Sequence, residues 1–600
     1  MNRLRSIWTR DLGIVLGVAL LARLVYFFLN SRTSPAFDFL IMDSLHIDGW
    51  ARAIAAGQPG DGVYFRGPLV PYLFALVHKL GGGIAGLIFL NHVAGVVTCG
   101  LVWLLAREYF SRTVALTAGL GAALYWPFIY FEGEVLIEPV YIALVVLALW
   151  RIARAMTEPT TARLVIAGAC LGLAALARPT MLIMLPAIPL LFAARQAPKS
   201  APARRAWLRP SLWVTGVCIV VLLPVTMRNL SAGGSLVPVT WSGGLNFFIG
   251  NNPASDGRSA MIPGAVTPWM GGEREALAIA AEQAGDSLSA AEASRYYTRR
   301  GLDYFATYPA DAVALLLKKL YMFWEGPERS NEKYVYFFWD RFGLGRVPMP
   351  GFWLVSPLAL AAMIRLWPRR RELALLYLFV LAYMIGVVAF FVVARYRLPV
   401  APALLVFASW TAVELFKALR ARQWRSAAPM LALVAVLFLF VNASYPGFLK
   451  RRASHIAISH YTLAGAHTER GNSDGALKEL LYARAAYERA PSRYYAGIAQ
   501  DIYFKLGSLL HKRNQCDEAI KALGQIQPAD PRSYEARFMF AECCEKVGRV
   551  HEAGKAYELT LQVEPGNVRA LQGYIRCLEK TGRWDEAAQA RERLPALPVE

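Results

Sequence analysis

The sequence predicts an all-α protein: a polytopic transmembrane helical domain of about eleven spans, followed by a soluble solenoid of repeated helix pairs. Three observations carry that expectation. The hydrophobic fraction of 56% exceeds the roughly 45–50% usual for soluble domains, and the excess lies before about residue 445. Apolar segments of spanning length recur through that region. Beyond Pro446 the composition turns soluble, and a 34-residue repeat begins.

The first apolar run, Leu12 to Leu29, follows Arg3, Arg5 and Arg10 and has the outline of a secretory signal. It is long, contains Arg23 and lacks a small-residue cleavage site, so it reads as a retained helix. Further segments fall near 84–105, 113–130, 136–152, 163–177, 180–194, 211–227, 350–367, 372–393, 398–416 and 429–444. Arg178-Pro179 interrupts the pair at 163–194.

The formal charge of +21 is gathered in short runs between these segments, where it signals topology and not nucleic-acid binding. Arg107/Arg112, Arg151/Arg154/Arg163, Arg195 to Arg209, Arg369 to Arg371 and Lys417 to Arg425 alternate with loops poor in positive charge. The expected topology has a cytoplasmic N-terminus, with segments 30–83 and 228–349 and the C-terminal domain outside. Lys450-Arg451-Arg452 departs from the rule. Three of the seven cysteines lie in apolar spans and four in the repeats, without a disulfide or zinc spacing.

In the soluble region, Glu518-Ala519, Glu552-Ala553 and Glu586-Ala587 recur every 34 residues, with Gly548 and Gly582 four residues ahead of the later pairs. Pro531 and Pro565 keep the same period, and Gly475-Ala476 is an offset earlier copy. This spacing resembles the tetratricopeptide repeat, whose helix pairs bury their apolar faces only by stacking on neighbours. The expected division is 1–445 for the membrane domain and 455–600 for the repeats.

Ionisable residues inside the spans are few: Arg23 near the outer end of the first and Glu414 near the inner end of the tenth. Charge along a transport path would sit within the spans. Here it gathers in the outer loops, so chemistry at the outer surface fits better than transport or flipping. The first outer loop carries Asp43-Ser44-Leu45-His46-Ile47-Asp48-Gly49-Trp50, with Ile47, Trp50, Ala51 and Ile54 at helical spacing. That pattern predicts an amphipathic helix on the membrane surface, with Asp43 near its N-terminus as a cap or as a functional carboxylate.

The loop continues Tyr64-Phe65-Arg66-Gly67-Pro68-Leu69-Val70-Pro71-Tyr72. An Asp near the end of the first span, Ala51 eight residues on, Gly57 fourteen on and then this Pro-Leu-x-Pro-Tyr run resembles the GT-C glycosyltransferases related to protein O-mannosyltransferases and lipid A aminoarabinose transferases. The resemblance extends through Phe131 to Pro139, Ala177-Arg178-Pro179-Thr180, Arg228-Asn229, Gly250 to Pro253 and Ala394 to Pro399. Ser44 and Ile47 depart from it, where the family often has a second carboxylate and an aromatic residue.

The resemblance implies an inverting transferase that uses a polyprenyl-phosphate sugar. Its acceptor would be protein, lipid or polysaccharide, at the outer face of a bacterial cytoplasmic (inner) membrane. Asp43 is carried over as the base. Asp48 and Glu132 would orient the acceptor or share a divalent cation with Asp43, with Glu134 and Glu138 as second choices; the metal itself is unknown. Arg66, Arg395 and Arg397 are the phosphate ligands, because guanidinium groups stay charged and grip phosphoryl oxygens in pairs. A ligase using a polyprenyl-diphosphate glycan is an alternative within enzymes. A scaffold whose repeats recruit a protein partner is the alternative outside them, although anchoring alone needs a single span.

Overall fold

The computed structural model describes residues 2–194, 204–258, 262, 272–330, 333–444, 452–491 and 496–594. Most of the basic run 195–209, and Lys450-Arg451, lie outside the described residues. Every regular element among the described residues is a helix. The chain divides into two compact units, Met1–Leu449 and Lys450–Glu600.

In the first unit, six helices are long and apolar enough to cross a membrane: Arg10–Thr33, Gly83–Tyr109, Glu138–Thr157, Trp207–Gly233, Ala394–Arg420 and Trp424–Asn442. Arg112–Leu124 and Trp126–Glu132 make a further pair bent by 45°. Thr161–Ala177, Phe352–Arg365 and Ala374–Val388 are shorter apolar helices. Each of the eleven expected segments therefore coincides with helical structure, and six reach spanning length as single helices. Proline accounts for one shortfall. Thr161–Ala177 stops at Arg178, because Pro179 lacks an amide hydrogen and constrains the residue before it; a 3-10 turn, Pro179–Met184, and the short helix Ala187–Ala194 follow.

The segment after the first apolar helix corrects one expectation. Helix Met42–Ala55 buries Ile47, Ala51 and Ile54 together with Asp43, Ser44 and Asp48, and it packs on helix Leu69–Lys79. Its apolar face is thus spent on protein instead of lipid headgroups. Asp43 is not the cap either: Ile41 holds that position without a side-chain bond.

A compact apolar cluster organises the segments between the apolar helices. Phe65 packs with Trp241, Leu245, Phe248 and Tyr297 and with Phe391 and Val393, all buried. Residues next to Arg66 and residues just before Arg395 therefore share one core, although more than three hundred positions separate them in the chain. Burial of that aromatic surface is what holds the two arginines in register.

The second unit is a run of helices in which each packs on the next: Arg452–Glu469, Ser473–Arg489, Ala496–Lys512, Cys516–Leu523, Ser533–Lys546, Val550–Val563, Val568–Lys580 and Trp584–Glu592. The repeat period has a plain structural meaning. Ala519, Ala553 and Ala587 are buried to 0%, 0% and 1% exposure, so nothing larger fits where paired helices meet. Asn514, Gly548 and Gly582 stand one period apart, and all three adopt the left-handed backbone (φ 55°, 82° and 75°) that ends one helix and admits the next. Gly471, with φ 69°, does the same for the preceding helix pair. All seven cysteines are free and buried.

Leu506 is fully buried in this repeat core. Leu506→Ala is expected to cost the repeat unit about 2–5 kcal/mol, read as a lower urea midpoint at unchanged slope.

Candidate functional site

Asp43, Arg66 and Arg395 meet at one carboxylate. Arg66 donates to Oδ1 at 2.5 Å, and Arg395 pairs with Oδ2. Asp43 and Arg395 are buried and Arg66 is partly so. Burial alone would raise the Asp43 carboxyl, but Arg66 and Arg395 outweigh it and hold the group well below the usual carboxylate range. Asp43 is therefore a charged partner and, while both arginines hold it, a weak base.

Two clamps deliver the arginines. The Arg66 loop is gripped by Arg228 and Asn229. Arg228 donates to the carbonyls of Gly60 and Gly62 and lies 3.9 Å over the Tyr64 ring. Asn229 accepts from the Tyr64 amide at 3.1 Å and donates to Val237 and Val239. Gly67 lets this loop lie directly on the chain at Ala177: a Cβ there would stand 2.3 Å from the Ala177 carbonyl oxygen. On the other side, Lys319 donates to Gly250, Asn251 and Phe390, and Asn251 donates to Ala389 at 2.7 Å. Those bonds fix the segment that enters Arg395. Burial brings the Lys319 ammonium down to about 8, in keeping with its enclosure among carbonyls.

The three residues line a cavity of about 360 Å³ together with Glu138, Arg178 and Tyr396. Arg178 donates to Glu138 Oε1 at 2.9 Å and lies 4.1 Å over the Tyr396 ring. Arg395 Nε stands 4.0 Å from the same Glu138 oxygen. Thr240, Ser242 and Asn246 add polar groups, while Ile183, Val387 and Phe390 form an apolar wall. Three guanidiniums thus face two carboxylates, leaving one net positive charge in a space sized for a small polar ligand.

The remaining predicted residues lie elsewhere. Asp48 pairs with His78 at 2.8 Å and Arg52 at 2.7 Å, tying helix Met42–Ala55 to helix Leu69–Lys79. Glu132 pairs with Arg23 and His92, and it fills the space over Gly95, where a Cβ would stand 2.1 Å from the carboxylate. Glu134 bonds Lys333 at 2.8 Å. Arg397 is buried on the carbonyls of Glu325 and Pro327, on the Glu328 carboxylate at 3.0 Å and on the Phe352 ring.

Asp43, Arg66 and Arg395 are therefore brought together, whereas Asp48, Glu132 and Arg397 line no part of the cavity and each serves an ion pair or carbonyl nest of its own. Asp43, Asp48 and Glu132 do not converge as a ligand set, and no group of three metal-binding side chains occurs among the described residues. Arg178 was absent from the predicted set. Its signal was an arginine inside an otherwise apolar stretch, a costly placement that calls for a partner.

Comparison with known proteins adds a class to this geometry. Residues 65–227, which include Arg66, Glu138 and Arg178, match the family described as dolichyl-phosphate-mannose-protein mannosyltransferase. Residues 546–597 match the tetratricopeptide repeat. The two matches bear out the resemblance read from the sequence: a membrane unit similar to the GT-C glycosyltransferases, followed by tetratricopeptide repeats.

Solved structures of low similarity include the apo oligosaccharyltransferase of Archaeoglobus fulgidus, 16% identical over 83% of this chain and 59% of that one, with a TM-score of 0.42. The AglB oligosaccharyltransferase of the same organism, in complex with an inhibitory peptide and a dolichol-phosphate, is 15% identical over 79% and 60%, with a TM-score of 0.42. MamA of AMB-1 is 16% identical over 31% of this chain and 87% of that one, with a TM-score of 0.21. No curated protein matches.

Gly67→Ala tests the close approach that seats the Arg66 loop. The added methyl must push backbone from backbone, so a loss of about 1–3 kcal/mol is expected, measured as a lower thermal midpoint in detergent.

Proposed function

We propose that this chain is an inverting membrane glycosyltransferase that moves a sugar from a polyprenyl-phosphate donor to an acceptor at the outer face of a bacterial inner membrane. The observation that carries the reading is the single carboxylate of Asp43 held between Arg66 and Arg395 on the cavity wall. Two guanidiniums on one carboxylate are also a ready-made grip for a phosphoryl group, which offers them more oxygens in similar geometry. The net positive charge of the cavity equals the negative charge of one phosphodiester. A sugar diphosphate would bring surplus negative charge, so the monophosphate-linked donor fits better than the diphosphate-linked glycan of a ligase. The apolar wall at Ile183, Val387 and Phe390 suits an isoprenoid.

The chemistry follows from an exchange of partners. Donor phosphate takes over Arg66 and Arg395, which releases Asp43 from the charges that depress its basicity. The acceptor oxygen attacks the anomeric carbon from the face opposite the phosphate, and its proton passes to Asp43. The bond from that carbon to the phosphate oxygen breaks, and the electron pair leaves on the lipid phosphate. Arg66 and Arg395, with Arg178 beside them, stabilise the charge that grows there. A divalent cation shared by Asp43, Asp48 and Glu132 has no place in this scheme, because the three lie in separate ion pairs.

Eleven spans, a cytoplasmic N-terminus and outer placement of the repeats complete the reading. Alternating basic loops and the odd span number support it. The repeats would then recruit an acceptor or a protein partner on the same side as the cavity.

Purified protein incubated with radiolabelled polyprenyl-phosphate sugars should release lipid phosphate; no release across such a panel would sink the donor assignment. Asp43→Asn should slow transfer by about 10²–10⁴-fold. The same variant should still bind polyprenyl phosphate, because it retains the arginines. Arg395→Ala should weaken that binding. Transfer at the wild-type rate by a folded Asp43→Asn protein would remove Asp43 from the mechanism. For topology, a C-terminal alkaline phosphatase fusion should be active, and fluorescence from a C-terminal green fluorescent protein would invert the assignment.

A further inference from the structure

The second carboxylate of the cavity differs from the first in one respect. Both oxygens of Asp43 are taken, whereas Glu138 has one oxygen in use. Arg178 holds Oε1 at 2.9 Å, and Oε2 is buried with no hydrogen-bond partner. Glu138 is only 2% exposed, yet it lines the cavity. A buried carboxylate oxygen left without a donor is costly; Glu328 Oε1 and Glu275 Oε2 share that condition, but Glu138 alone of the three lines the cavity, where a ligand can supply the missing hydrogen.

The position of Glu138 is well determined. It opens helix Glu138–Thr157, and Arg178, which fixes its other oxygen, is itself held against the Tyr396 ring. The carboxylate also stands beside the group that would bind phosphate, since Arg395 Nε lies 4.0 Å from Oε1. A ligand anchored by phosphate on Arg66 and Arg395 would carry its sugar next to that anchor, within reach of Glu138.

We propose that Glu138 Oε2 accepts a hydrogen bond from one hydroxyl of an uncharged donor sugar, making Glu138 the residue that reads sugar identity. The inference rests on the donor class of the preceding subsection and adds to it the part of the donor being recognised. Charge balance selects a neutral sugar: the phosphodiester already cancels the surplus positive charge of the three arginines over the two carboxylates, so an ammonium on the sugar would leave the cavity unbalanced. An accepting carboxylate discriminates sharply, because a sugar lacking the hydroxyl leaves that buried oxygen unpaired again.

The test pairs two measurements on the full-length protein and on Glu138→Gln, which keeps the side-chain volume and the oxygen facing Arg178 but replaces the acceptor with a donor. In the first, binding of polyprenyl phosphate is compared with binding of the polyprenyl-phosphate hexose that the wild type uses fastest. The substitution should weaken only the hexose-bearing lipid, by about 10–100-fold. In the second, kcat/KM is measured for that hexose donor and its monodeoxy analogues. One deoxy position should lower the wild-type value by about 10–100-fold, and the same analogue should lie within about threefold of the parent in Glu138→Gln.

Equal weakening of both lipids by Glu138→Gln would assign the residue to Arg178 and the phosphate, and would overturn sugar recognition. So would a flat deoxy series in the wild type, the result expected if water alone satisfies Oε2. Failure of the wild type to bind either lipid overturns the donor reading itself, and is distinguished from the other failures because polyprenyl phosphate would then show no binding.

Discussion

Opposite charges buried together at Asp43 set the terms for the rest of the membrane unit. One carboxylate shared by Arg66 and Arg395 joins the loop after helix Met42–Ala55 to the start of helix Ala394–Arg420. Removing charge from water is expensive, and a buried group survives only where its partners arrive in good geometry. The surroundings supply that geometry. Arg228 and Asn229 hold one loop, Lys319 and Asn251 hold the other, and the cluster from Phe65 to Phe391 binds the two into one body. Polar residues that look dispersed along the chain are thus scaffolding for three side chains.

This arrangement also separates two uses of buried charge in the same protein. Arg397 and the Glu132–Arg23–His92 group engage carbonyls, carboxylate oxygens or a ring nitrogen away from the cavity, and they tie elements together. At the cavity, Glu138 keeps a buried oxygen without a donor beside the space a ligand would fill. What marks the cavity group is that its side chains line one common space, which Arg397, Arg23 and His92 do not reach. That criterion is geometric, which is why residue type alone separates them poorly.

How much could be read beforehand varied with the range of the interaction. The repeat was legible because its period is local and each copy restates the same small alanine and the same left-handed turn. The apolar segments were legible for the same reason, although proline cut the helix Thr161–Ala177 below spanning length. Asp43, Arg66 and Arg395 could be named from their motifs. The sequence could not say that they share one carboxylate, since that depends on packing across several hundred residues. Arg397 stands two residues from Arg395 and faces carbonyls instead of the cavity, a difference of direction that no spacing encodes. Arg178 falls within the motifs of the resemblance, but nothing local in the sequence shows that it pairs with Glu138 across the cavity.

The left-handed residues at 471, 514, 548 and 582 bear on how such a protein can change. Each helix pair of the soluble unit carries its own chain reversal and its own close-packing alanine, so its geometry is specified almost entirely from within and from the adjoining pair. Duplication or loss of a 34-residue block would lengthen or shorten the array without disturbing the fit of any surviving pair. The ion pairs around Asp43 permit nothing comparable, since each depends on segments far apart in the chain. Evolution can therefore vary the soluble array in whole-number steps while the chemistry in the membrane unit stays fixed.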